Sequence, residues 1–432
     1  MLHQKNSKFL IIFSATIYIL IYLLYFLFHP ASIIGYTIIY ISTSIFFLVL
    51  WWQISLLRIP RNYIYYLTAA IIILRVIFIP VHPVGSDDYY RYLWDGKVQA
   101  NGINPYAYAP DAKELAYLHS DVLPKYVNHA NIKTLYPPLT EILFYISYLI
   151  SGESYLGLKL LLLLFDLLTI YGIYLILKKL NINKKYLLLY AFSPLPVFQF
   201  FVDAHADGFG LAFIIFAIFF YLDNRKILSY ILIGLSICIK PIGLLFIPLL
   251  FFNEKSISEK VKVILIPFII CAAMYIPYVF TGSPFQALIK FTENWTFNGI
   301  MFDILNSFMH NNQKVRLICG IIYFFIFIVI VLSKKDLLEK IYLSIFLLLI
   351  FSPVVHPWYV SWLAILLPFV PRWSGIFYVS LVSLTAITDL NYQLSGIWKE
   401  YSVVLILEYV PVLVIFLYEL LKLRKPSRLS IK

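Results

Sequence analysis

The chain has 432 residues, of which 62% are hydrophobic and only 13% are charged, and its mean hydropathy is +0.85. These values exclude a soluble globular domain, and the continuous apolar runs exclude a β-barrel, whose strands would alternate in polarity. The formal net charge of +12 at pH 7 is spread over short Lys and Arg clusters between the apolar runs. That distribution is typical of cytoplasmic loops and argues against nucleic-acid binding.

The apolar runs predict an all-α polytopic membrane protein with about 12–14 transmembrane segments. The candidate spans are, in chain order, 9–28, 33–56, 63–81, 155–177, 186–202, 206–222, 261–280, 317–332, 341–355, 358–370, 377–389 and 402–421. The first run is too long for a signal-peptide core, so we interpret it as a retained span. The first two runs form an extra N-terminal helical hairpin over 9–57, and the whole chain, 1–432, is predicted to be a single membrane domain.

Two further segments are short or broken. The segment 137–150 opens with two prolines and is too short to span, which favours an interfacial or re-entrant helix. The segment 227–252 is interrupted at Lys240-Pro241 and is predicted to form two half-length helices.

The positive-inside rule then gives the orientation. With the N-terminus in the cytoplasm, the basic clusters that face the cytoplasm are Arg58 with Arg61, 178–185, 225–226, 255–262, 334–335, Arg372 and 422–432. This predicts a cytoplasmic (inner) membrane protein with both termini inside. The remaining polar features, above all the loop 82–135, converge on the outer face.

Two adjacent carboxylates, Asp87 and Asp88, lie just beyond the end of a long apolar run. Such a pair can accept a proton from a sugar hydroxyl or hold a divalent cation through its hard oxygen atoms. The alternative is a solvated loop end or a helix cap. A plain channel or an anchor has no need of such acids, so we interpret them as catalytic.

Arg91, Asp95 and Lys97 follow the acid pair at helical spacing and are predicted to border the same cavity, where Arg91 and Lys97 would bind substrate. The turn-rich stretch 101–106 reverses the chain and is interpreted as architectural. Prolines at the end of the loop are predicted to place Tyr136 at the cavity wall.

Asp203, His205 and Asp207 lie at the mouth of another apolar run, where ionisable side chains are costly and suggest function. In a helix His205 and Asp207 would point apart, so their spacing implies no metal-binding triad. A phosphate-side role and plain interfacial solvation both stay open. Lys240 suits a lipid-linked phosphate, whose charge it would neutralise. Its alternatives are snorkelling and a structural pair with Asp203 or Asp207.

His356 precedes a Pro-Trp-Tyr sequence at a span boundary. It is predicted either to contact the ligand or to belong to the interfacial aromatic belt. The cysteines Cys238, Cys271 and Cys319 lie in apolar runs and are interpreted as packing residues.

These features resemble the GT-C superfamily of membrane glycosyltransferases. The sequence Ser-Asp-Asp-Tyr-Tyr-Arg-Tyr-Leu-Trp-Asp-Gly-Lys at 86–97, with its continuation to 106, closely resembles bacterial polyprenyl-phosphate-mannose-dependent mannosyltransferase-like proteins. The sequence Tyr-Pro-Pro-Leu-Thr at 136–140 is similar to a luminal motif of dolichyl-phosphate-glucose-dependent glucosyltransferases. The stretch 165–169 and Trp358-Tyr359 resemble the enzyme that adds the first mannose to GPI anchors.

The resemblance implies a GT-C-like helical bundle and a catalytic Asp in the first large outer loop, which falls on Asp88 or Asp87. It also implies transfer of a hexose, with mannose favoured, from a polyprenyl-phosphate donor to a glycolipid, glycan or protein acceptor by inverting displacement. Lys240 or Arg91 would stabilise the leaving phosphate in place of a metal. A divalent cation stays open, with Asp87 and Asp88 as its ligands.

The alternative function is a non-enzymatic lipid-linked-oligosaccharide flippase or transporter. Transport predicts charges spread along the bilayer midplane, whereas this chain concentrates them at one face. An O-antigen ligase or polymerase would carry a larger late loop rich in Arg and His than the one at 281–314.

Overall fold

The computed structural model describes residues 2–28, 32–57 and 59–422. Arg58 and the basic tail 423–432 of the predicted cytoplasmic clusters lie outside these residues. Within the described ranges the protein is built from helices, and the extended pairing is confined to an isolated bridge between Phe297 and Val354. The predicted class, a polytopic helical membrane protein, is confirmed.

The α-helices are, in chain order, α1 (Leu2–Phe28), α2 (Ile33–Leu56), α3 (Arg61–Phe78), α4 (Asp88–Ala100), α5 (Pro138–Ser151), α6 (Leu156–Lys179), α7 (Leu188–Ala191), α8 (Pro194–Pro196), α9 (Asp207–Leu222), α10 (Lys226–Ile237), α11 (Phe246–Asn253), α12 (Ile257–Val279), α13 (Gln286–Asn294), α14 (Ile300–Met309), α15 (Asn312–Leu332), α16 (Leu337–Phe351), α17 (Pro357–Ala364), α18 (Trp373–Leu381), α19 (Ala386–Ser395) and α20 (Ser402–Lys422). Short 3₁₀ helices cover Lys113–Leu118, Lys184–Leu187, Pro241–Leu245 and Val382–Thr385, and a π-helix covers Val197–Val202.

Among the described residues, seven helices are long and apolar enough to cross a bilayer, or up to eight if one bent pair is counted as a span. Shorter apolar helices, such as Leu10–Tyr25 and Asp207–Leu222, lie within further predicted spans. The bent pair joins Lys184–Ala191 to Pro194–Val202 at an angle of 41°. The apolar pattern predicts one continuous span over 186–202. Prolines near its centre interrupt the helix, because proline has no N–H group to continue the backbone hydrogen bonds.

The chain divides into two compact units, of which the first comprises Met1–Gly85, Ile173–Val202 and Val355–Lys432. Buried tyrosines join the N-terminal hairpin to the segment 188–202 of this unit. The Tyr18 hydroxyl donates to the Phe192 carbonyl at 2.5 Å, and the Tyr40 ring stacks on Phe198 with centroids 4.3 Å apart. Arg75, fully buried, donates to the Ala191 carbonyl at 3.0 Å. The hairpin is therefore an integral part of this unit's core.

The second unit comprises Ser86–Gly172 and Asp203–Val354. Its helix α4 packs closely on α5 at Gly96, where an added Cβ would lie 2.4 Å from the Phe144 carbonyl oxygen. The loop after α4 is fastened to the end of α12, because the Asn104 amide donates to the Tyr278 carbonyl at 2.8 Å. The predicted outer loop thus has a fixed position within this unit.

The predicted break at Lys240 is confirmed. Helix α10 ends at Ile237, and a 3₁₀ turn over Pro241–Leu245 leads into α11. The carbonyls of Cys238 and Ile239 accept hydrogen bonds from the Leu139 N–H at 3.0 Å and the Thr140 hydroxyl at 3.1 Å. The carbonyl groups beside the break are therefore satisfied by the start of α5.

Candidate active site

The site is organised around the first turn of α4. Asp88 is the first residue of this helix and Asp87 occupies its N-cap position. The Asp88 N–H donates to the Ser86 hydroxyl at 3.2 Å, and the Tyr90 N–H donates to the Asp87 carbonyl at 3.1 Å. The N-terminus of a helix stabilises negative charge because its first N–H groups point towards it. The helix start therefore suits two neighbouring carboxylates.

The amide of Asn128 bridges the acid pair. Its nitrogen Nδ2 donates to Asp87 Oδ1 and to Asp88 Oδ1, each at 2.8 Å. Hydrogen bonds to ionised oxygens are stronger than those between neutral groups. A single amide thus holds two like-charged side chains side by side and offsets part of their mutual repulsion.

The second oxygen of Asp88 lies on the side of His205. The distance from Asp88 Oδ2 to His205 Nδ1 is 3.7 Å, which is longer than a hydrogen bond, and His205 is fully buried. The Tyr92 hydroxyl lies 3.5 Å from the same ring nitrogen. Tyr92 also packs edge-on against Tyr136, with centroids 5.2 Å apart. The predicted residues His205 and Tyr136 therefore lie around Asp88 in the same unit.

Lys240 and Asp207 form an ion pair at the same site. Their Nζ and Oδ2 atoms are 3.0 Å apart, and the side chains are 21% and 3% exposed, respectively. Asp207 is the first residue of α9, and Lys240 has an extended backbone just before the 3₁₀ turn. The structure places the ammonium at the break in the helix, paired with one of the two partners that the sequence suggests.

Burial and neighbouring charges control the protonation of Asp88. Its pKa is raised to about 6, first because burial disfavours the ionised form and then because Asp87 is negative. The hydrogen bond from Asn128 and the charge of Lys240 lower the pKa, and Asp207 raises it again. Asp88 is therefore ionised at neutral pH but more basic than an ordinary aspartate, a combination that favours proton abstraction.

Arg91 and Lys97, predicted to bind substrate, have intramolecular partners in the structure. Arg91 pairs with Asp95 at 2.9 Å and donates to the Ile132 carbonyl at 2.8 Å. Lys97 pairs with Glu153 at 2.6 Å. These contacts connect α4 to the end of the loop that follows it and to the turn after α5. Arg91 and Lys97 therefore stabilise the position of α4.

A buried carboxyl group supports the loop that carries Tyr136. Glu141, fully buried, accepts hydrogen bonds from the Thr134 hydroxyl at 2.6 Å and the Gln99 amide at 3.0 Å. The Tyr106 hydroxyl donates to the Tyr136 carbonyl at 2.6 Å. Tyr136 is thus fixed from both sides of the loop.

His356 belongs to the other compact unit. It lies at the N-cap of α17, and its ring stacks on Trp358 with centroids 4.3 Å apart. Its role in ligand binding stays a prediction.

Metal binding by the acid pair also stays a prediction. In the part of the chain that the structure describes, no group of three or more His, Cys, Asp and Glu side chains is placed to hold a metal ion.

Sequence reasoning missed the functional position of Asn128. This residue is 41 and 40 positions from Asp87 and Asp88, respectively. An asparagine in a turn-rich loop is ordinarily a turn residue, because its side chain bonds its own backbone. Only the folded loop brings the amide onto the carboxylates.

An acid pair beside a cation, in a loop of a helical membrane protein, is an arrangement that suits a membrane-embedded transferase, because a carboxylate can accept a proton and a cation can stabilise a leaving group. Comparison with known families gives the assignment. Residues 20–253 match the family described as alpha-(1->6)-mannopyranosyltransferase, N-terminal domain, and residues 296–422 match the MptB C-terminal domain. The chain belongs to this mannosyltransferase family, which confirms the resemblance to GT-C mannosyltransferases. No curated protein matches the chain.

Membership of this family makes the chain a mannosyltransferase, and the expectation of a glycosyltransferase is confirmed at that level. The apolar helices make it an integral membrane protein.

Proposed function

We propose that the protein transfers mannose from a polyprenyl-phosphate donor to a hydroxyl group of an acceptor outside the cytoplasmic membrane, by a single inverting displacement. The acid pair, the buried His205 and the Lys240–Asp207 pair supply the groups that this reaction needs. None of the proposed steps requires a metal ion.

Asp88 acts as the general base. Its Oδ1 is engaged by Asn128, whereas Oδ2 makes no hydrogen bond to His205 at 3.7 Å. Oδ2 therefore accepts the proton of the acceptor hydroxyl as that oxygen attacks the anomeric carbon. Asp87, bridged to Asp88 through Asn128, keeps the base more basic than usual, since a neighbouring negative charge disfavours ionisation.

Lys240 stabilises the leaving group. As the bond from the anomeric carbon to the phosphate oxygen breaks, that oxygen takes the electron pair and negative charge grows on the phosphate. An ammonium in a partly dehydrated site stabilises such a charge more than water does. Asp207, 3.0 Å from Nζ, holds this ammonium in position when no donor is bound.

The family description supports a particular stereochemistry. An α-(1→6) product that forms in one inverting displacement requires a β-linked mannosyl phosphate and a primary 6-hydroxyl on the acceptor. We therefore propose a β-mannosyl polyprenyl phosphate as the donor and a mannose-terminated glycan or glycolipid as the acceptor.

The observation that carries the proposal is the acid pair bridged by Asn128, in which the pKa of Asp88 is raised, next to the half-buried ammonium of Lys240. The decisive experiment measures transfer of labelled mannose by membranes that express wild-type protein or Asp88→Asn. Asp121→Asn is the matched control, since Asp121 is an exposed acid of the same loop.

The proposal predicts transfer by wild type and by Asp121→Asn, and a loss of at least about a hundredfold in Asp88→Asn at equal expression. Equal rates in all three would remove the base role from Asp88. A flippase, in contrast, would move its lipid substrate equally well with Asn at position 88 and would transfer no label.

A further inference from the structure

Three tyrosine rings stack beside the acid pair. The ring centroids of Tyr126 and Tyr90 are 5.3 Å apart with planes tilted by 32°, and those of Tyr90 and Tyr89 are 4.1 Å apart. Tyr126 is 48% exposed, whereas Tyr89 is 3% exposed. We call Tyr89, Tyr90 and Tyr126 the tyrosine platform. Tyr89 forms its buried end, and Tyr126 forms its exposed end.

The platform is tied to the catalytic groups by short stretches of chain. Tyr89 and Tyr90 directly follow Asp88, and Tyr126 lies two residues before Asn128, whose amide binds both carboxylates. Two residues of chain span at most about 7 Å. The Cα atoms of Tyr126 and Asn128 therefore lie within about 7 Å of each other.

The two carboxylate oxygens of Asp88 have different surroundings, and this difference indicates where the donor and the acceptor would bind. On the Oδ2 side lie His205 and the Lys240–Asp207 pair, where His205 is fully buried and the Asp207 side chain is 3% exposed. On the Oδ1 side lies Asn128, which follows the half-exposed Tyr126 by two residues in the loop. A lipid-linked phosphate suits the buried cationic side, and a water-borne acceptor suits the open aromatic side.

Lys125 adds polar groups to the platform. This residue is exposed, and its ammonium lies 5.3 Å from the centre of the Tyr126 ring. Carbohydrate sites combine an aromatic face with a few placed polar groups, because a sugar ring has an apolar C–H face and a rim of hydroxyls. The ring and the ammonium together offer both.

We propose that the tyrosine platform is the acceptor subsite, where the terminal mannose of the acceptor stacks on Tyr126 and its hydroxyls accept hydrogen bonds from Lys125. This inference rests on the proposed function for the identity of the sugar. It assigns acceptor binding to residues separate from the base and from the cation.

The test uses the full-length chain in lipid nanodiscs, with Tyr126→Ala, Tyr126→Trp and the matched control Tyr117→Ala. Tyr117 lies in the same loop and is 72% exposed. Transfer from polyprenyl-phosphate mannose to a synthetic α-(1→6)-mannobiose acceptor gives KM and kcat for each substrate. Calorimetry with the disaccharide alone measures acceptor binding without the reaction.

Tyr126→Ala is expected to raise the acceptor KM and the disaccharide Kd about tenfold, as the loss of one aromatic contact implies. The donor KM and kcat should stay within about twofold, and Tyr126→Trp should restore binding because it keeps an aromatic face. Tyr117→Ala should behave as wild type.

Unchanged acceptor KM and Kd in Tyr126→Ala, with normal transfer by wild type, would overturn the subsite and leave the proposed function standing. Equal losses in Tyr126→Ala and Tyr117→Ala would also overturn it, because the effect would then be general to the loop. Disaccharide binding that depends on Tyr126 in a wild-type protein without transferase activity would refute the function and support the subsite. A wild-type protein that neither binds nor transfers would overturn both.

Discussion

Replacing Asn128 with alanine removes two hydrogen bonds from the acid pair and leaves both carboxylates in place. The Asn128 amide donates to Asp87 and Asp88 at 2.8 Å each, and its bond to Asp88 lowers the pKa of that carboxyl group. Without it, the ionised form of Asp88 is less stable and its pKa rises above the present value of about 6.

The size of the effect follows from the energy of one hydrogen bond. A hydrogen bond to a charged group contributes about 1.5–3 kcal/mol, and about 1.4 kcal/mol corresponds to one pKa unit. Water that replaces the amide recovers part of this energy, so we expect a shift of about one unit. Because the base must be ionised, activity is lost as the pH falls through the pKa, and a raised pKa moves that acid limb to higher pH.

The assay is the pH profile of kcat/KM for mannose transfer. The Asn128→Ala variant should be about fivefold less active than wild type at pH 6 and within about twofold of it at pH 8. Asn131→Ala, which removes an exposed amide of the same loop, should leave the profile unchanged. An acid limb that stays in place or moves to lower pH in Asn128→Ala would refute this account of the acid pair.

Lys240→Gln should lower kcat about a hundredfold, whereas Lys240→Arg should keep most of the activity, because the leaving phosphate requires a cation. Steady-state kinetics measures kcat for both variants, and equal values would contradict this role. Arg91→Ala should destabilise the protein by about 3–5 kcal/mol, because it leaves Asp95 as an unpaired buried charge; thermal unfolding in detergent measures this, and an unchanged midpoint would contradict it. A cysteine at Asp121, in a variant without the native cysteines, should react with a membrane-impermeant maleimide in intact cells, and labelling only after permeabilisation would reverse the predicted orientation. Asp88→Asn should be more stable than wild type near pH 8, because the raised pKa of Asp88 means that its charge opposes folding there; the difference should shrink as the pH falls from about 6 towards 4, where wild-type Asp88 is protonated.

Much of the fold could be predicted because a bilayer imposes simple rules. Long apolar runs became helices, as in Ile257–Val279 and Ser402–Lys422, since a helix is the structure that satisfies its own backbone groups in lipid. The break at Lys240-Pro241 was also predictable, because proline cannot continue the hydrogen-bond ladder.

The interruptions of other apolar runs were harder to predict. The segment 377–389 was predicted as one span, and Trp373–Ser395 is long and apolar enough to cross a bilayer. The 3₁₀ turn over Val382–Thr385, which separates α18 from α19 within this span, was not predicted. Hydropathy measures how apolar a segment is and carries little information on how its helix bends. Packing against neighbouring helices determines that, and packing depends on contacts distant in sequence.

Some residues of the candidate site could also be predicted from the sequence, whereas their contacts could not. Asp87 and Asp88 were identified from sequence because charged side chains are conspicuous beside apolar runs, and Lys240 and Asp207 for the same reason. Their pairing at 3.0 Å was one of several alternatives, because spacing along the chain does not determine which cation meets which acid. Asn128 is a polar residue within a polar loop, so no sequence pattern distinguished it from its neighbours.

The arrangement of charge explains why the site is built with a stability cost. An isolated Asp88 with an ordinary pKa would be a weak base, whereas burial and Asp87 raise its pKa to about 6 and make it a better one. The same factors destabilise the folded state at neutral pH, since they disfavour a charge that the unfolded chain carries freely. Asn128 limits this cost by bonding both carboxylates, and the buried Arg91–Asp95 pair on the next turn of α4 keeps the helix start in place. Asp87 is exposed, whereas the Asp88 side chain is only 24% exposed. An acid needed only for solubility would lie in water, so the partial burial of Asp88 favours a chemical role for this carboxylate.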